Sequence, residues 1–206
     1  MNFDDVVKNR RSVRKFTEQK ISDETIYELI EAARLAPSGG NGQAHFFGVV
    51  KDEERKKELA LAAGGQMWIA NAPIIIACCA YLDEDISALP DDDFGKIVNR
   101  TRFGDELIEE LSKIKNKRAT GIFWTNAAPL IPGEHIFLKA TSLGLSACWV
   151  GYMDIERTST ILGLQDNQAC FFLMPIGYAA EQPQPIERKQ IEDLIFFEKY
   201  DLKEQD

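Results

Sequence analysis

The chain has 206 residues, of which 45% are apolar and 28% are charged, and its formal net charge is −9. A chain of this length and composition can bury a core without disulfides or a structural metal. We therefore expect a single domain over residues 1–206. The acidic balance argues against general nucleic-acid binding, because neutralising phosphates requires a basic surface. It leaves room for a small, local basic pocket.

No targeting or membrane segment is evident. Residues 1–12 contain no apolar signal region, and the longest apolar stretch, residues 72–82, includes a proline. A helix that crosses a bilayer needs about 20 apolar residues. We therefore expect a cytoplasmic protein that makes no membrane contact.

Cysteine and histidine usage gives no sign of a metal site. Cys78 and Cys79 are adjacent in an apolar run, so they are expected on opposite sides of a strand. Cys148 and Cys170 lie far along the chain, no pair has CxxC spacing, and there are only two histidines. We expect buried free thiols in a reducing compartment and no zinc or other metal.

Helical and strand patterns alternate in the first part of the chain. Phe3, Val6 and Val7 share one helical face. Ser22 is expected to cap a second helix that Pro37 ends. The buried stripe of that helix has helical spacing and consists of Ile26, Leu29, Ile30 and Ala33. A strand is predicted at residues 45–50.

The middle of the chain continues this alternation. Residues 52–63 predict a helix that Gly64 and Gly65 close, and residues 73–81 form a β-branched run typical of a buried strand. The acidic residues 83–93 predict a loop, and residues 94–117 predict a polar helical region.

The last part of the chain predicts a helix at residues 133–143 that follows two prolines and stops at Gly144. A strand at residues 146–150, a helix at 155–162 and a strand at 168–176 come next. Residues 181–187 read as extended. Residues 191–200 carry enough apolar side chains to dock on another surface.

This alternation indicates an α/β or α+β protein. The first strand is not followed by the glycine fingerprint of a Rossmann fold, and the phosphate-binding P-loop pattern is absent as well. A dinucleotide or nucleoside-triphosphate site of either kind is therefore not supported.

A cationic turn at residues 10–15 is the first motif that could carry chemistry. Its sequence is R-R-S-V-R-K. Guanidinium groups and a hydroxyl suit the binding of a phosphate. On charge alone, an ordinary solvated basic stretch explains the same residues.

Three further motifs are weak when each is taken alone. Residues 36–43 read A-P-S-G-G-N-G-Q, in which glycines let backbone approach a flat ligand and the amides supply donors and acceptors. Residues 144–152 read G-L-S-A-C-W-V-G-Y. Residues 175–178 read P-I-G-Y and precede the cationic pair Arg188 and Lys189. Plain connections and a surface pair explain each motif equally well.

Taken together, in this order and spacing, the motifs resemble the nitroreductase family of FMN enzymes. An alanine–proline pair at residues 72–73 adds to the match, and the resemblance covers residues 3–195. It implies an α+β fold in which helices flank a mixed central sheet. It also implies an intertwined homodimer with one FMN at each of two sites on the interface.

The resemblance also implies which residues bind FMN. The ribityl phosphate would be held by Arg10, Arg11 and Ser12, joined late in the chain by Arg188. Arg14 would lie at the pyrimidine edge of the flavin, where its charge stabilises the reduced anion.

Other parts of the flavin would meet other segments. The partner subunit would supply Pro37, Ser38 and Gly39. The edge at N5, where hydride is exchanged, would lie beside three consecutive residues. They are Val150, Gly151 and Tyr152. Asn41 and Gln43 complete the predicted loop contacts.

The implied activity is transfer of hydride from NAD(P)H through FMN to a nitroaromatic, a quinone or a similar planar oxidant, in a ping-pong cycle. No nucleophile–base pair or carboxylate dyad is evident in the sequence, and flavin chemistry requires neither. Two alternatives remain open. One is a specialised flavin reaction, such as dehalogenation, ring oxidation or flavin fragmentation, and the other is a flavin-binding protein without turnover.

Some positions depart from the family's pattern. Ala44 and His45 follow the loop where a proline is common, and Gln66 is the polar candidate where a cationic residue is usual. Residues 83–126 are the part that varies most within the family. Within them, Phe123 and Trp124 either cover the pocket or pack in the core.

Overall fold

The computed structural model describes residues 1–82 and 86–200. Residues 83–85 of the predicted acidic loop, and residues 201–206 of the predicted domain, lie outside this range. Helices are α1 (Phe3–Asn9), α2 (Asp23–Arg34), α3 (Glu53–Ala62), α4 (Phe94–Phe103), α5 (Asp105–Ser112), α6 (Lys117–Thr125), α7 (Leu130–Ser142) and α8 (Ile155–Ile161). Strands are β1 (His45–Val50), β2 (Ile74–Tyr81), β3 (Ser146–Ala147) and β4 (Gln168–Gly177).

The strands form one sheet in the order β1-β2-β4-β3, and all of these pairs are antiparallel. The parallel component of the expected mixed sheet is a single bridge between Ser12 and Ala147. Helices cover both faces of the sheet. The α+β class is therefore confirmed.

Each face of the sheet buries its own apolar cluster. On one face, α2 and α7 pack over Ile76, Cys78 and Met174. On the other face, α3 packs over Ile75 and Cys79. The expectation that Cys78 and Cys79 point to opposite sides is confirmed, and all four cysteines are buried free thiols.

Capping side chains set where most of the helices begin. Ser22 accepts a hydrogen bond from the Thr25 N–H at the start of α2, as the sequence predicts. Asp52 and Asp154 cap α3 and α8 in the same way. These caps satisfy backbone donors that have no partner within the helix.

The helix predicted at residues 133–143 begins three residues earlier, at Leu130. The prediction is wrong because it placed Pro132 outside the helix. Pro132 instead lies in the first turn, where a backbone N–H would have no partner within the helix, so its absence costs nothing there.

The strand predicted at residues 146–150 is shorter, because regular pairing ends at Ala147. The next residue, Cys148, lies opposite Pro175 of β4 and donates its N–H to the Pro175 carbonyl. Proline has no backbone N–H, so Pro175 cannot donate the second hydrogen bond of a regular pair. Pairing with β4 resumes at Val150 through a bridge to Leu173.

The polar region predicted at residues 94–117 is divided rather than continuous. Gly104, with φ of 81°, separates α4 from α5. A residue without a side chain adopts this left-handed conformation at little cost, so the chain turns there. The segment is joined to the sheet through α6, whose Arg118 donates from Nη1 to the Gln168 carbonyl of β4 at 3.1 Å. Arg118 also forms an ion pair with Glu156 of α8.

Candidate functional site

The cationic turn follows α1 and runs along β3. Arg11 donates from Nη1 to the carbonyls of Lys8 (2.6 Å) and Arg10 (2.8 Å), so its guanidinium covers the end of α1. Ser12 pairs with Ala147, and the next N–H, that of Val13, donates to the Ala147 carbonyl at 3.1 Å. The turn is therefore fixed to the sheet by backbone pairing.

Three of the predicted phosphate and ring residues converge at the end of β3. Burial raises the pKa of the Cys148 thiol, while the Arg14 charge, a hydrogen bond with Ser12 and the Arg10 charge oppose that rise. The hydrogen bond requires contact with Ser12, whereas charges act over longer distances, so the arginine charges lie in the neighbourhood of the thiol. The structure thus brings Arg10, Ser12 and Arg14 together around one buried thiol.

Aromatic rings hold the two arginines of this group. The Arg10 guanidinium lies 5.1 Å from the centre of the Phe137 ring, and that of Arg14 lies 5.8 Å from the centre of the Trp68 ring. Cation–π contact orients a guanidinium without consuming its hydrogen-bond donors. Trp68 was missed in the sequence, where only its position two residues after Gln66 could have pointed to it.

Residues 64–68 lie against the segment expected at the flavin's N5 edge. Gln66 donates from Nε2 to the Ala63 carbonyl at 2.8 Å and to the Tyr152 carbonyl at 3.4 Å. A Cβ on Gly64 would lie 2.3 Å from the Tyr152 ring, so only glycine leaves room for that ring. Gln66 and Tyr152 are therefore brought together.

Val150 and Gly151 differ in exposure although they are adjacent. The Val150 side chain is buried under the sheet, whereas Gly151 is exposed and packs against the Phe172 ring. Tyr152 is exposed as well. This segment therefore presents the backbone of Gly151 and the side chain of Tyr152 at the surface.

The loop at residues 38–43 is ordered by its own hydrogen bonds. The Ser38 hydroxyl accepts from the Gln43 N–H at 3.1 Å, and Gln43 donates from Nε2 to the Asn41 carbonyl at 3.2 Å. Asn41 and Gln43 have positive φ values, and Pro37 and Gly39 are exposed. No hydrogen bond or ion pair joins this loop to residues 10–14 in the described structure.

A region from the variable segment contacts this same loop. A Cβ on Gly40 would lie 2.8 Å from the Phe94 ring, so the first residue of α4 packs on the loop. Trp124 packs 5.0 Å from Phe103, centre to centre, and Phe123 is largely exposed. Trp124, Phe103 and Phe123 form an aromatic group that belongs to none of the three buried clusters of the described residues.

His45, which follows the loop, is partly buried in β1 beside Phe47. Burial lowers the pKa of His45 from its ordinary value of 6.5. Its imidazole is therefore held in the neutral form more strongly than an exposed histidine would be.

Arg188 lies in an exposed carboxyl-terminal arm, residues 181–200. The arm starts beside the cationic turn, where Glu181 accepts from the Arg14 N–H at 3.4 Å and pairs with Lys15 at 3.6 Å. Arg188 itself is exposed, and among the described residues no ion pair or hydrogen bond joins it to the turn at residues 10–15. The structure therefore brings the arm, but not Arg188, to the turn.

A cavity of about 730 Å³ contains none of the predicted site residues. It lies between residues 16–21 and the start of β2. Its most buried charged side chain is Lys56, which donates to the Ala72 carbonyl at 2.7 Å and pairs with Glu53. The first contact ties α3 to the segment just before β2, whereas the ion pair lies within α3 itself.

Among residues 1–82 and 86–200, no group of three or more histidine, cysteine or acidic side chains is arranged to hold a metal ion. Within the same range, no helix is both long and apolar enough to cross a bilayer.

The fold and the site together define an α+β protein with a two-faced antiparallel sheet and an arginine-rich turn that runs along its short edge strand. The model of the nitroreductase family matches residues 7–178. The chain therefore belongs to the nitroreductase family.

Individual relatives agree with this assignment. The chain is 26% identical over 188 residues to a Thermus thermophilus protein named NADH dehydrogenase, covering 91% of this chain and 92% of the relative. It is 27% identical over 178 residues to the NADPH-flavin oxidoreductase of Vibrio harveyi, covering 84% of this chain and 64% of the relative.

A solved structure shows the same fold. The FMN-dependent nitroreductase of Clostridium difficile superimposes with a TM-score of 0.68, covering 95% of this chain and 98% of that chain at 21% identity. At this identity the similarity is one of fold.

Proposed function

We propose that the protein is an FMN-dependent oxidoreductase that uses NAD(P)H to reduce a planar acceptor, such as a nitroaromatic or a quinone. The observation that carries the proposal is the cationic turn, which the pairing of Ser12 with Ala147 holds along β3. An aromatic ring orients each of the Arg10 and Arg14 guanidinium groups there, and the exposed Gly151 follows the strand by four residues. Family membership and the names of the flavin-using relatives support it.

The chemistry of the donor set fits FMN. A phosphate dianion pairs well with a guanidinium and a hydroxyl, and a flat ring needs a wall without protruding side chains. Arg10 and Ser12 would hold the phosphate. Arg11 would join them by leaving its position over the end of α1, and Arg188 would join from the arm.

Around the ring, Arg14 would lie at the pyrimidine edge, and the positive charge there favours a reduced, anionic ring. Gln66 would supply a hydrogen bond at the same edge. Val150, Gly151 and Tyr152 would line the edge where hydride is exchanged. When bound, FMN would supply the hydride acceptor and donor that no side chain of the chain provides.

The second wall of the site would come from a second subunit. Pro37, Ser38 and Gly39, with Asn41 and Gln43, lie on a pre-ordered loop that makes no hydrogen bond to the turn of its own chain in the described residues. We propose that this loop completes the site of the partner in a homodimer.

A single site shared by both substrates determines the kinetic mechanism that we expect. NAD(P)H and the acceptor would occupy one face of the site in turn, which gives ping-pong kinetics. We also propose that the whole chain works as a single domain in the cytoplasm, where its free thiols stay reduced.

The phosphate assignment is tested by comparing FMN with riboflavin, which lacks the phosphate. Arg10→Ala should weaken FMN binding by about tenfold or more, because a charge-assisted contact is worth roughly 1.5–3 kcal/mol. Riboflavin affinity should change little. Arg55→Ala, on the exposed face of α3, is the matched control. Equal losses for FMN and riboflavin would place Arg10 away from the phosphate.

A further inference from the structure

An open apolar slot of about 440 Å³ lies between the start of α7 and the sheet. Trp149 and Phe172 form its inner wall, with their rings edge to face at 5.4 Å. Leu130 and Ile131 form its rim, and both are partly exposed. A slot of this size and lining suits one small aromatic ring.

One charged side chain, Glu134, lines this slot. Its Oε2 accepts from the Trp149 indole N–H at 2.9 Å, while Oε1 accepts from no other residue that the structure describes. A carboxylate beside an apolar wall binds a cation or an N–H or O–H donor more strongly than it would in open water.

The position of the carboxylate is fixed by close packing. A Cβ on Gly133 would lie 2.4 Å from Cη2 of Trp149, so the indole lies directly on the helix backbone. The indole therefore cannot rotate freely, and its hydrogen bond holds Glu134 in one orientation. The slot is a preformed surface with a single directed acceptor.

Gly151 joins the slot to the proposed flavin site. It lines the slot, and it belongs to the segment proposed to border the edge where hydride is exchanged. A ring bound between Trp149 and Ile131 would therefore lie next to the reactive edge, with its substituent directed towards α7.

We propose that this slot binds the ring of the electron acceptor, and that Glu134 selects planar acceptors carrying a positive charge or a hydrogen-bond donor. The inference rests on the proposed function and narrows it from planar oxidants in general to cationic or donor-bearing ones. Glu134 acts on specificity and takes no part in electron transfer.

Three nitroaromatic probes of similar shape test the inference on the FMN-loaded protein with NADPH. They are para-nitrobenzylammonium, para-nitrobenzyl alcohol and para-nitrobenzoate. We expect kcat/KM to fall in that order. Glu134→Gln keeps an acceptor for Trp149 but removes the charge, so it should lower the value for the ammonium probe by about tenfold. It should raise the value for the benzoate and change the alcohol little.

Glu58→Gln, an exposed change on α3, controls for the loss of one negative charge and should preserve the order of the three probes. If Glu134→Gln leaves the order unchanged, the inference is wrong. If Glu134→Gln instead weakens self-association without changing the order, the slot is a subunit contact, and the inference is equally wrong.

Failure of the proposed function would look different, because the wild-type protein would then reduce none of the three probes. In that case, quenching of tryptophan fluorescence by the same probes still tests the slot, if Trp68→Phe and Trp124→Phe are combined so that Trp149 is the one tryptophan left. The ammonium probe should bind more tightly than the benzoate, and Glu134→Gln should abolish the difference. Equal binding would overturn the inference on its own.

Discussion

The stacking of Arg14 on Trp68 is the contact through which a single side chain, Trp68, can affect the reduction potential of a flavin bound in the proposed site. Arg14 is exposed, and a solvated arginine samples many rotamers. The indole, partly buried against the cluster of α3, restricts those rotamers by lying 5.8 Å from the guanidinium carbon. Trp68 thus positions the Arg14 charge, which we propose lies beside the flavin ring.

Replacing Trp68 by leucine should make the reduction potential of the bound flavin more negative, because Arg14 would no longer be held beside the ring. The loss of a cation–π contact of about 0.5–1 kcal/mol corresponds to a shift of about 10–20 mV for a two-electron couple. Spectroelectrochemical titration measures it. Trp68→Phe retains an aromatic face and should restore most of the potential. An unchanged potential in Trp68→Leu would show that Arg14 needs no such support.

Side-chain chemistry in the sequence was enough to identify the turn, because guanidinium groups and a hydroxyl at close spacing are visible without a fold. It could not reveal that Arg11 covers the end of α1, or that Trp68 meets Arg14. Those contacts join residues far apart in the chain, or depend on a rotamer, and no local pattern encodes either.

At the level of elements, the period of apolar residues and the capping side chains predicted α2, β1, α3, β2 and β4 closely. One error fell at Gly104, where a positive φ separates α4 from α5, and two fell where backbone hydrogen bonding depends on proline. Pro132 was accepted inside α7, and Pro175 interrupted the pairing of β3 with β4. The spacing of apolar residues does not predict these limits of α7 and β3, because the limits depend on which backbone N–H groups have hydrogen-bond partners.

The packing of α7 on the segment after β3 gives a test at this scale. Gly133→Ala would place a methyl group 2.4 Å from Trp149, which is closer than side chains approach. Overpacking of this kind costs typically 1–3 kcal/mol, so the free energy of unfolding should fall by about that amount in urea denaturation. Gly39→Ala, where a Cβ would meet no atom within 4 Å, is the control. Equal stabilities for the two variants would contradict the close contact.

At the level of the whole molecule, the exposed apolar side chains of the carboxyl-terminal arm have no packing partner within the described part of a single chain. Its large apolar side chains are exposed, and contiguous apolar surface of this kind marks an interaction site. They are Ile186, Ile191, Leu194, Ile195, Phe196, Phe197 and Tyr200. A homodimer in which the arms pack on the neighbouring subunit would remove them from water.

We predict that the protein sediments as a dimer and that Phe196→Ser with Phe197→Ser weakens the dimer by at least about tenfold. Burying each phenyl ring is worth about 1.5–3 kcal/mol. Analytical ultracentrifugation measures the dissociation constant. Leu61→Ser, an exposed apolar change on α3, should have little effect. Sedimentation of the wild-type protein at its chain mass of 23.2 kDa would contradict the dimer.

The order of motifs along the chain predicted the whole-molecule fold well, because family membership fixes strand order and helix placement together. The arrangement of two subunits lies beyond what one chain's local patterns determine. The flavin contacts therefore all remain predictions, both those of the loop at residues 38–43 and Arg188 and those of Arg10, Ser12 and Arg14 in the cationic turn.

The central claim, that this chain holds FMN in a form that NAD(P)H can reduce, is tested most directly by an anaerobic titration. Protein saturated with FMN and freed of excess flavin should retain about one flavin per chain. The visible absorbance of that flavin should disappear on addition of NADPH or NADH and return when a quinone or a nitroaromatic is added. Protein that retains no FMN, or that retains FMN whose absorbance neither nucleotide removes, would contradict the account.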